Sequence, residues 1–153
     1  MDLDQPITVT RTITLDASAA DVWRQLTDDR ELSRWFASPA TIDAVPGGIA
    51  RFGEGAAARR AVVHHVEAGR RLGFTWWDEE RPADASSVEL VVESISERQV
   101  QLTVTETLVP ATGGIGARAC SWMDVADAWD GRLLALGGAL GARMSARCSL
   151  LVG

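Results

Sequence analysis

The first ordered segment that the sequence predicts is an alternation of apolar and polar residues. Between Ile7 and Leu15, apolar side chains stand at Ile7, Val9, Ile13 and Leu15, and four threonines fall between them. A period of two places the two sets on opposite faces of a β-strand. The segment therefore predicts a strand with one buried face and one face in water.

The apolar spacing becomes helical after this strand. Ser18 is followed three residues later by Asp21, an arrangement typical of a helix N-cap with an acid in the first turn. Apolar residues then recur at helical spacing as far as Leu26, and a second group covers residues 29–36 and stops before a proline. The sequence thus predicts two short helices in succession.

The region from Thr41 to Leu108 reads as five or six successive strands. Alternating segments are separated by short turn signals such as Pro46-Gly47-Gly48. Sequential strands with short turns predict an antiparallel meander that buries one face. The clearest of these segments are 49–54, 60–67, 71–77, 87–93 and 99–107.

A long helix is predicted near the end of the chain. Ser121 and Asp124 again have the spacing of an N-cap, and an apolar stripe follows over about five turns to Leu140. Arg143 and Arg147 would then lie near the helix C-terminus, where cations suit the helix dipole. The pattern therefore indicates one amphipathic helix with a broad apolar face.

This order of elements predicts a helix-grip fold of the α+β class. An antiparallel sheet of about seven strands has one apolar face, and the long C-terminal helix is the element large enough to cover it. We expect the first strand to pair with the last strand. The whole chain, 1–153, is predicted to form a single domain, with 1–5 as a flexible N-terminus and 147–153 as a flexible tail.

Short motifs with characteristic spacing run along almost the whole chain. Val22-Trp23 and Trp35-Phe36 lie in the two short helices, Pro46-Gly47-Gly48 precedes the meander, an Arg-Leu-Gly-Phe-Thr-Trp run starts at Arg71, and Trp122 leads into the last helix. With these motifs the sequence resembles the activator of heat-shock-protein-90 ATPase homologue family, within the START-like (SRPBCC or Bet v 1-like) superfamily. The resemblance implies a helix-grip domain with a hydrophobic cavity between the sheet and the long helix.

The charge balance argues against nucleic acid and membrane partners. The 15 basic residues are all Arg, and against 21 acidic residues they leave a net charge of -6 and a pI near 4.9. No basic patch is visible that would neutralise phosphates, and no Arg cluster adjoins an apolar helix. The segment Met1–Pro6 has no apolar run, so we expect a cytoplasmic protein.

The aromatic residues are the first candidates for a ligand site. Most of them have inward parity or helical phase, so they either pack the core or frame an apolar pocket. Trp77 has outward parity and would instead mark an exposed patch or a contact in a homodimer. The predicted cavity residues are Trp35, Phe36, Phe52, His64, Phe74, Trp76, Val92, Leu102, Trp122, Trp129 and Leu133.

Two charged residues interrupt apolar strand faces. Arg11 shares the parity of Val9 and Ile13, and Glu106 shares that of Val104. If the two strands are antiparallel neighbours, these charges could form an ion pair on the cavity wall, because a buried Arg without a partner is unfavourable. Alternatively, both residues lie near strand ends and reach water.

The two histidines are adjacent on one predicted strand. His64 shares parity with Val62 and Val66 and is a candidate polar group in the cavity, whereas a bulge would place His65 there instead. Side chains at neighbouring strand positions point to opposite faces and cannot chelate one ion together. No metal site and no cofactor are predicted.

The sequence favours binding over catalysis. No Ser-His-Asp set, phosphate loop or nucleotide fingerprint is present, and no catalytic residue is assigned. The predicted function is the binding of a small apolar or aromatic ligand. One alternative, implied by the wider superfamily, is a polyketide cyclase- or hydratase-like enzyme that uses Arg11, His64 and Glu106. Another is a chaperone-associated adaptor, with Trp77 and Val91 as its candidate exposed patch.

Overall fold

A computed structural model of the chain describes residues 7–55, 58–108, 121–141 and 144–152. It contains one antiparallel sheet, two short helices after the first strand and one long helix after the seventh. The elements are β1 Ile7–Leu15, α1 Ala19–Thr27, α2 Asp29–Trp35, β2 Ala40–Ile42, β3 Ile49–Phe52, β4 Arg59–Glu67, β5 Arg71–Asp78, β6 Arg81–Ser96, β7 Gln99–Leu108, α3 Ser121–Leu140 and β8 Met144–Val152.

The two short helices begin at side-chain caps. The Ser18 hydroxyl accepts a hydrogen bond from the backbone N–H of Asp21 at 3.1 Å, as the sequence predicts. Asp28 ends α1 and also caps α2, because its carboxylate accepts from the backbone N–H groups of Arg30 and Glu31. Since one capping residue serves both helices, the chain turns sharply between them.

The sheet has the strand order β2-β3-β4-β5-β6-β7-β1-β8. The prediction that β1 pairs with β7 is confirmed, with a register that runs from Ile7 opposite Leu108 to Leu15 opposite Val100. Buried and half-buried residues alternate along β7, as expected for a strand with one face against the core. We call the face that packs against the helices the inner face and the opposite one the outer face.

The C-terminal part of the chain differs from the sequence prediction. The helix α3 ends at Leu140, and Gly141 follows with a φ of +62°, a left-handed conformation that glycine adopts without strain. The chain then forms β8, which pairs in antiparallel register with all nine residues of β1. Residues 147–152, expected as part of a flexible tail, therefore belong to a strand, and the sheet has eight strands rather than about seven.

The need for β8 follows from the position of β1. Without a partner on that side, β1 would present a row of unpaired backbone N–H and C=O groups at the sheet edge.

Residues 1–5, predicted as a flexible N-terminus, lie outside the described residues.

The core lies between the inner face of the sheet and the helices. The buried stripe of α3 consists of Ala126, Trp129, Leu133 and Leu136, which recur at helical spacing. Trp129, Leu133 and Leu136 join inward side chains of β1 and of the strands from β3 to β7 in one hydrophobic cluster. No helix in the described part of the chain is long and apolar enough to cross a membrane.

Candidate functional site around Glu106

Five aromatic rings meet between the sheet and α3. They come from the end of α2 (Phe36), from β3 (Phe52), from β5 (Phe74 and Trp76) and from α3 (Trp129). Neighbouring ring centroids are 4.8 to 5.9 Å apart, mostly in edge-to-face or tilted arrangements, which aromatic pairs prefer. We call these five rings the aromatic cluster.

A buried carboxylate lies against two rings of the aromatic cluster. Glu106 on β7 has only 1% of its surface exposed. The indole Nε1 of Trp129 donates to Oε1 at 2.8 Å, and that of Trp76 donates to Oε2 at 2.9 Å. The Ser86 hydroxyl donates a short hydrogen bond to the same Oε2. Because these donors come from β5, β6 and α3, one side chain ties the long helix to three strands of the sheet.

Two arginines cover the rings. The guanidinium carbon of Arg132, on α3, lies 4.8 Å from the ring centroids of both Phe36 and Trp129 and 5.1 Å from that of Trp76. The guanidinium carbon of Arg59, on β4, lies 4.4 Å from the centroid of Trp76. These are cation–π distances, so both charges lie against the aromatic cluster. We call Arg59 and Arg132 the arginine pair.

The surroundings of Arg132 disfavour its positive charge. Burial and, to a smaller extent, the positive charge of Arg59 lower the pKa of its guanidinium to about 10, although the Glu106 carboxylate acts in the opposite direction. The side chain is held there by contacts with the rings, and no carboxylate within 4.0 Å pairs with it among the described residues.

Replacing Arg132 by Met is expected to raise the thermal midpoint of unfolding. Burial and Arg59 both disfavour the guanidinium, whereas Met keeps a long, flexible side chain that packs well on aromatic rings. Calorimetry at neutral pH tests this prediction, with Arg98→Met on an exposed turn as the matched control. A lower midpoint for the Arg132 variant alone would mean that the cation–π contacts outweigh the burial of the charge.

The predicted ion pair between Arg11 and Glu106 is wrong. In the register of β1 and β7, Glu106 lies opposite Val9, and Arg11 lies opposite Val104. Both residues bind the helix α3 instead of each other. Trp129 donates to Glu106, and the next residue, Asp130, accepts from Arg11. The Arg11 Nε donates to the Asp130 carboxylate at 2.8 Å. Arg11 therefore ties β1 to α3 and takes no part in the aromatic cluster.

The prediction that His64 lines the cavity is also wrong. The pairing of β4 with β5 shifts between Val63 and His65, so β4 has a bulge at this point. Val63 is fully buried on the inner face, whereas His64 and His65 are both exposed. The His64 ring lies close to Gly73, where an added Cβ would be 3.2 Å from its Cε1.

The histidines contribute instead to a groove on the outer face. This groove has a volume of about 290 Å³ and crosses the strands from β4 to β7. The described residues contain no group of three His, Cys, Asp or Glu side chains that could hold a metal ion. The outer groove is lined by His64, His65, Arg71, Gly73, Ser87, Val88, Glu89, Thr105 and Thr107.

The other predicted cavity residues lie at the inner interface, as far as the structure describes them. A pocket beside Trp35, Phe36, Phe52 and Phe74 has a volume of about 10 Å³, which is room for a single water at most. Trp122 lies in the first turn of α3, but its side chain is outside the described part of the molecule. The placed residues are Trp35, Phe36, Phe52, Phe74, Trp76, Val92, Leu102, Trp129 and Leu133.

Three residues of the site were missed by the sequence analysis. Arg59 has the inward parity of Ala61 and Val63, and Arg132 follows Trp129 by three residues on the same helix face. Those two signals were available in the sequence. Ser86 carries no such signal, because it joins the site only through the register of β6 against β5, which places it opposite Trp76.

The sequence over residues 16–130 matches the family model described as Activator of Hsp90 ATPase homolog 1-like protein. The chain belongs to this family. The matched range begins directly after β1 and ends within α3, so it includes Glu106, its three hydrogen-bond donors and Arg59. The family and the helix-grip fold place the chain in the START-like superfamily, as the sequence motifs predicted.

Solved structures with the same fold share little sequence with this family member. CalU16 from Micromonospora echinospora is 22% identical, with 87% of this chain and 75% of that chain covered and a TM-score of 0.70. PFC0360w, an HSP90 activator from Plasmodium falciparum, is 20% identical over 91% of this chain and 99% of that chain, with a TM-score of 0.73. The Aha1 dimer from Colwellia psychrerythraea is 17% identical over 87% and 95%, with a TM-score of 0.70. No curated protein matches the chain.

Proposed function

We propose that this protein binds a small aromatic or apolar ligand at the aromatic cluster. The observation that carries the proposal is the packing of five aromatic rings between the sheet and α3, two of which donate indole hydrogen bonds to one buried carboxylate. Rigid apolar walls with a few fixed polar groups are typical of small-molecule sites. A core that needed only stability would gain little from a buried carboxylate, because hydrophobic residues of similar volume often serve as well.

The ligand would enter where the aromatic cluster is covered by movable side chains. Phe36 is only half-buried, and the Arg132 guanidinium lies over its ring and over two indoles. Since the Arg132 guanidinium lies over these rings, a ligand that packs on them requires Arg132 and Phe36 to move. A long arginine and the residue at the C-cap of a seven-residue helix can move without unfolding of the sheet.

Fluorescence titration with phenylnaphthylamine (NPN), a neutral aromatic dye, tests the proposal. We expect saturable enhancement of dye emission and quenching of tryptophan emission by the folded protein. Phe36→Ala should weaken binding about tenfold, because it removes one ring of the contact surface, whereas Ile95→Ala, at an exposed strand position, should not. Absence of saturable binding to folded protein would contradict the proposal.

His64→Ala is expected to leave NPN binding unchanged within about twofold. The side chain lies on the outer face, so its removal changes neither the aromatic cluster nor its cover. The same titration measures the effect. A clear loss of affinity would place the dye in the outer groove and contradict binding at the aromatic cluster.

The enzyme alternative receives less support than binding. Of its three predicted polar groups, Arg11 binds Asp130 and His64 lies on the outer face. Glu106 remains at the aromatic cluster, with both of its oxygens engaged by donors. A cyclase or hydratase needs two groups that converge on the reacting atoms, and the described residues offer one acid beside the arginine pair.

The adaptor alternative lacks its predicted surface. Trp77 and Val91 are both half-buried, and Val91 lies opposite Arg71, about 20 Å along β5 from Trp77. The two residues therefore do not form one patch. Formation of a homodimer and a cytoplasmic location stay predictions from the sequence.

A further inference from the structure

The arginine pair is half-buried against the aromatic cluster and has no acidic partner among the described residues, whereas the other described arginines without one, Arg30, Arg70 and Arg98, are exposed. Neither Arg59 nor Arg132 has a carboxylate within 4.0 Å among the described residues. Six arginines elsewhere in the described chain do: Arg11, Arg24, Arg34, Arg51, Arg60 and Arg71.

An acidic residue is available near Arg59 but is used elsewhere. Asp78 lies opposite Arg59 in the ladder of β4 and β5, yet its carboxylate accepts a hydrogen bond from the backbone N–H of Glu80 at 2.9 Å. Glu106, the acid nearest to Arg132, receives its hydrogen bonds from two indoles and a hydroxyl. Among the described residues, no acidic side chain uses the guanidinium N–H groups of the pair, so these groups can donate to an external acceptor.

Both charges of the pair lie beside one indole. The guanidinium carbons of Arg59 and Arg132 are 4.4 and 5.1 Å from the centroid of Trp76, and each of these side chains is half-buried. Two positive charges this close repel each other, and partial burial strengthens the repulsion. An anion between them would replace repulsion by two attractions.

We propose that Arg59 and Arg132 bind the anionic group of the ligand, a carboxylate, sulfonate or phosphate, while its apolar body packs on the aromatic cluster. The planar guanidinium fork matches such groups, because it can donate two parallel hydrogen bonds to their oxygens. The negative charge of Glu106 repels the anion, but the two arginines supply two positive charges. The hydrogen bonds that Glu106 accepts from Trp76, Ser86 and Trp129 also compensate part of its negative charge. This inference rests on the proposed function, because the aromatic cluster must hold the apolar body.

Two dyes that differ by one anionic group test the inference. Anilinonaphthalene sulfonate (ANS) carries the ring system of NPN with an added sulfonate. We expect the wild-type protein to bind ANS about tenfold more tightly than NPN, as one charge-assisted interaction would give. Added NaCl should weaken the binding of ANS and leave that of NPN nearly unchanged.

Variants of the pair locate the sulfonate. Arg59→Gln and Arg132→Gln should each lower the ratio of ANS affinity to NPN affinity about tenfold, because only ANS carries the anionic group. Arg59→Lys and Arg132→Lys keep the charge and should recover part of the affinity, which separates charge from packing. Arg71→Gln, in the outer groove, is the matched control and should have no effect on either dye.

The outcomes distinguish this inference from the proposed function. If neither dye binds the folded protein, the proposed function fails. If NPN binds and ANS binds no more tightly, or if the Gln variants weaken both dyes equally, the anionic site is overturned and the apolar site stands. Loss of ANS binding in Arg71→Gln alone would place the sulfonate on the outer face and also overturn the inference. Thermal melts check that each variant is folded. If Arg132→Gln does not fold, the comparison of the two dyes is made with Arg59→Gln alone.

Discussion

Replacing Glu106 by Gln is expected to lower the free energy of unfolding by about 2–3 kcal/mol, since hydrogen bonds to charged groups are among the stronger ones. Gln has nearly the same volume but only one acceptor oxygen. Whichever way its amide turns, an NH₂ group faces the indole N–H of either Trp129 or Trp76, and an indole N–H cannot accept a hydrogen bond. Removal of a buried charge recovers some hydration energy, but an N–H left against another donor in a buried site outweighs it.

Urea denaturation of the Glu106 variant measures this loss. Glu93→Gln is the matched control, because Glu93 is exposed on the neighbouring strand β6, and we expect a change within about 0.5 kcal/mol. Equal stability of the Glu106 variant and the wild-type protein would show that the carboxylate does not hold the sheet and α3 together.

Replacing Trp129 by Ala is expected to cost about 3–5 kcal/mol, the range found when large aromatic residues are removed from a core. The indole has no exposed surface, stacks on Trp76 with centroids 5.9 Å apart, and donates to Glu106. Its loss opens a cavity at the centre of the interface and removes one donor from the buried carboxylate. Leu134→Ala in the same helix is the control, since Leu134 is 66% exposed.

A double-mutant cycle separates the hydrogen bond of Trp129 from its packing. Trp129→Phe keeps an aromatic ring and removes the N–H, and Glu106→Gln removes one acceptor. We expect a coupling free energy of about 1 kcal/mol between the two changes, which is usual for residues in direct contact. A loss near zero for Trp129→Ala, or additive effects in the cycle, would contradict the arrangement around Glu106.

The fold was largely predictable because its strands carry their pattern locally. The alternation in β1 and the Ser18 cap of α1 depend on neighbouring residues alone, and both are present in the structure. The strand β8 was missed because it depends on a distant partner. Gly141 is a helix-stop signal in the sequence, but the residues after it do not indicate that their partner is the open edge of β1.

The candidate site was predictable in its aromatic residues but not in its polar contacts. Parity placed Trp76 and Glu106 on the inner face correctly, but parity cannot say which donor faces which acceptor. That pairing depends on how α3 is rotated over the sheet, which places Trp129 on Glu106 and Asp130 on Arg11. The bulge beside His64 misled the parity argument, because the extra residue places Val66 on the inner face although His64, next to the inward Val63, lies on the outer face.

The indole N–H signals of the tryptophans give the most direct test that the ligand binds at the aromatic cluster. In a titration of ¹⁵N-labelled protein with NPN, followed by heteronuclear NMR, the Trp76 and Trp129 signals should shift saturably, with the midpoint seen by fluorescence. The signal of Trp77, on the outer face of the same strand, should not move. If dye binding saturates while Trp76 and Trp129 stay unshifted, the ligand binds elsewhere and the account is wrong.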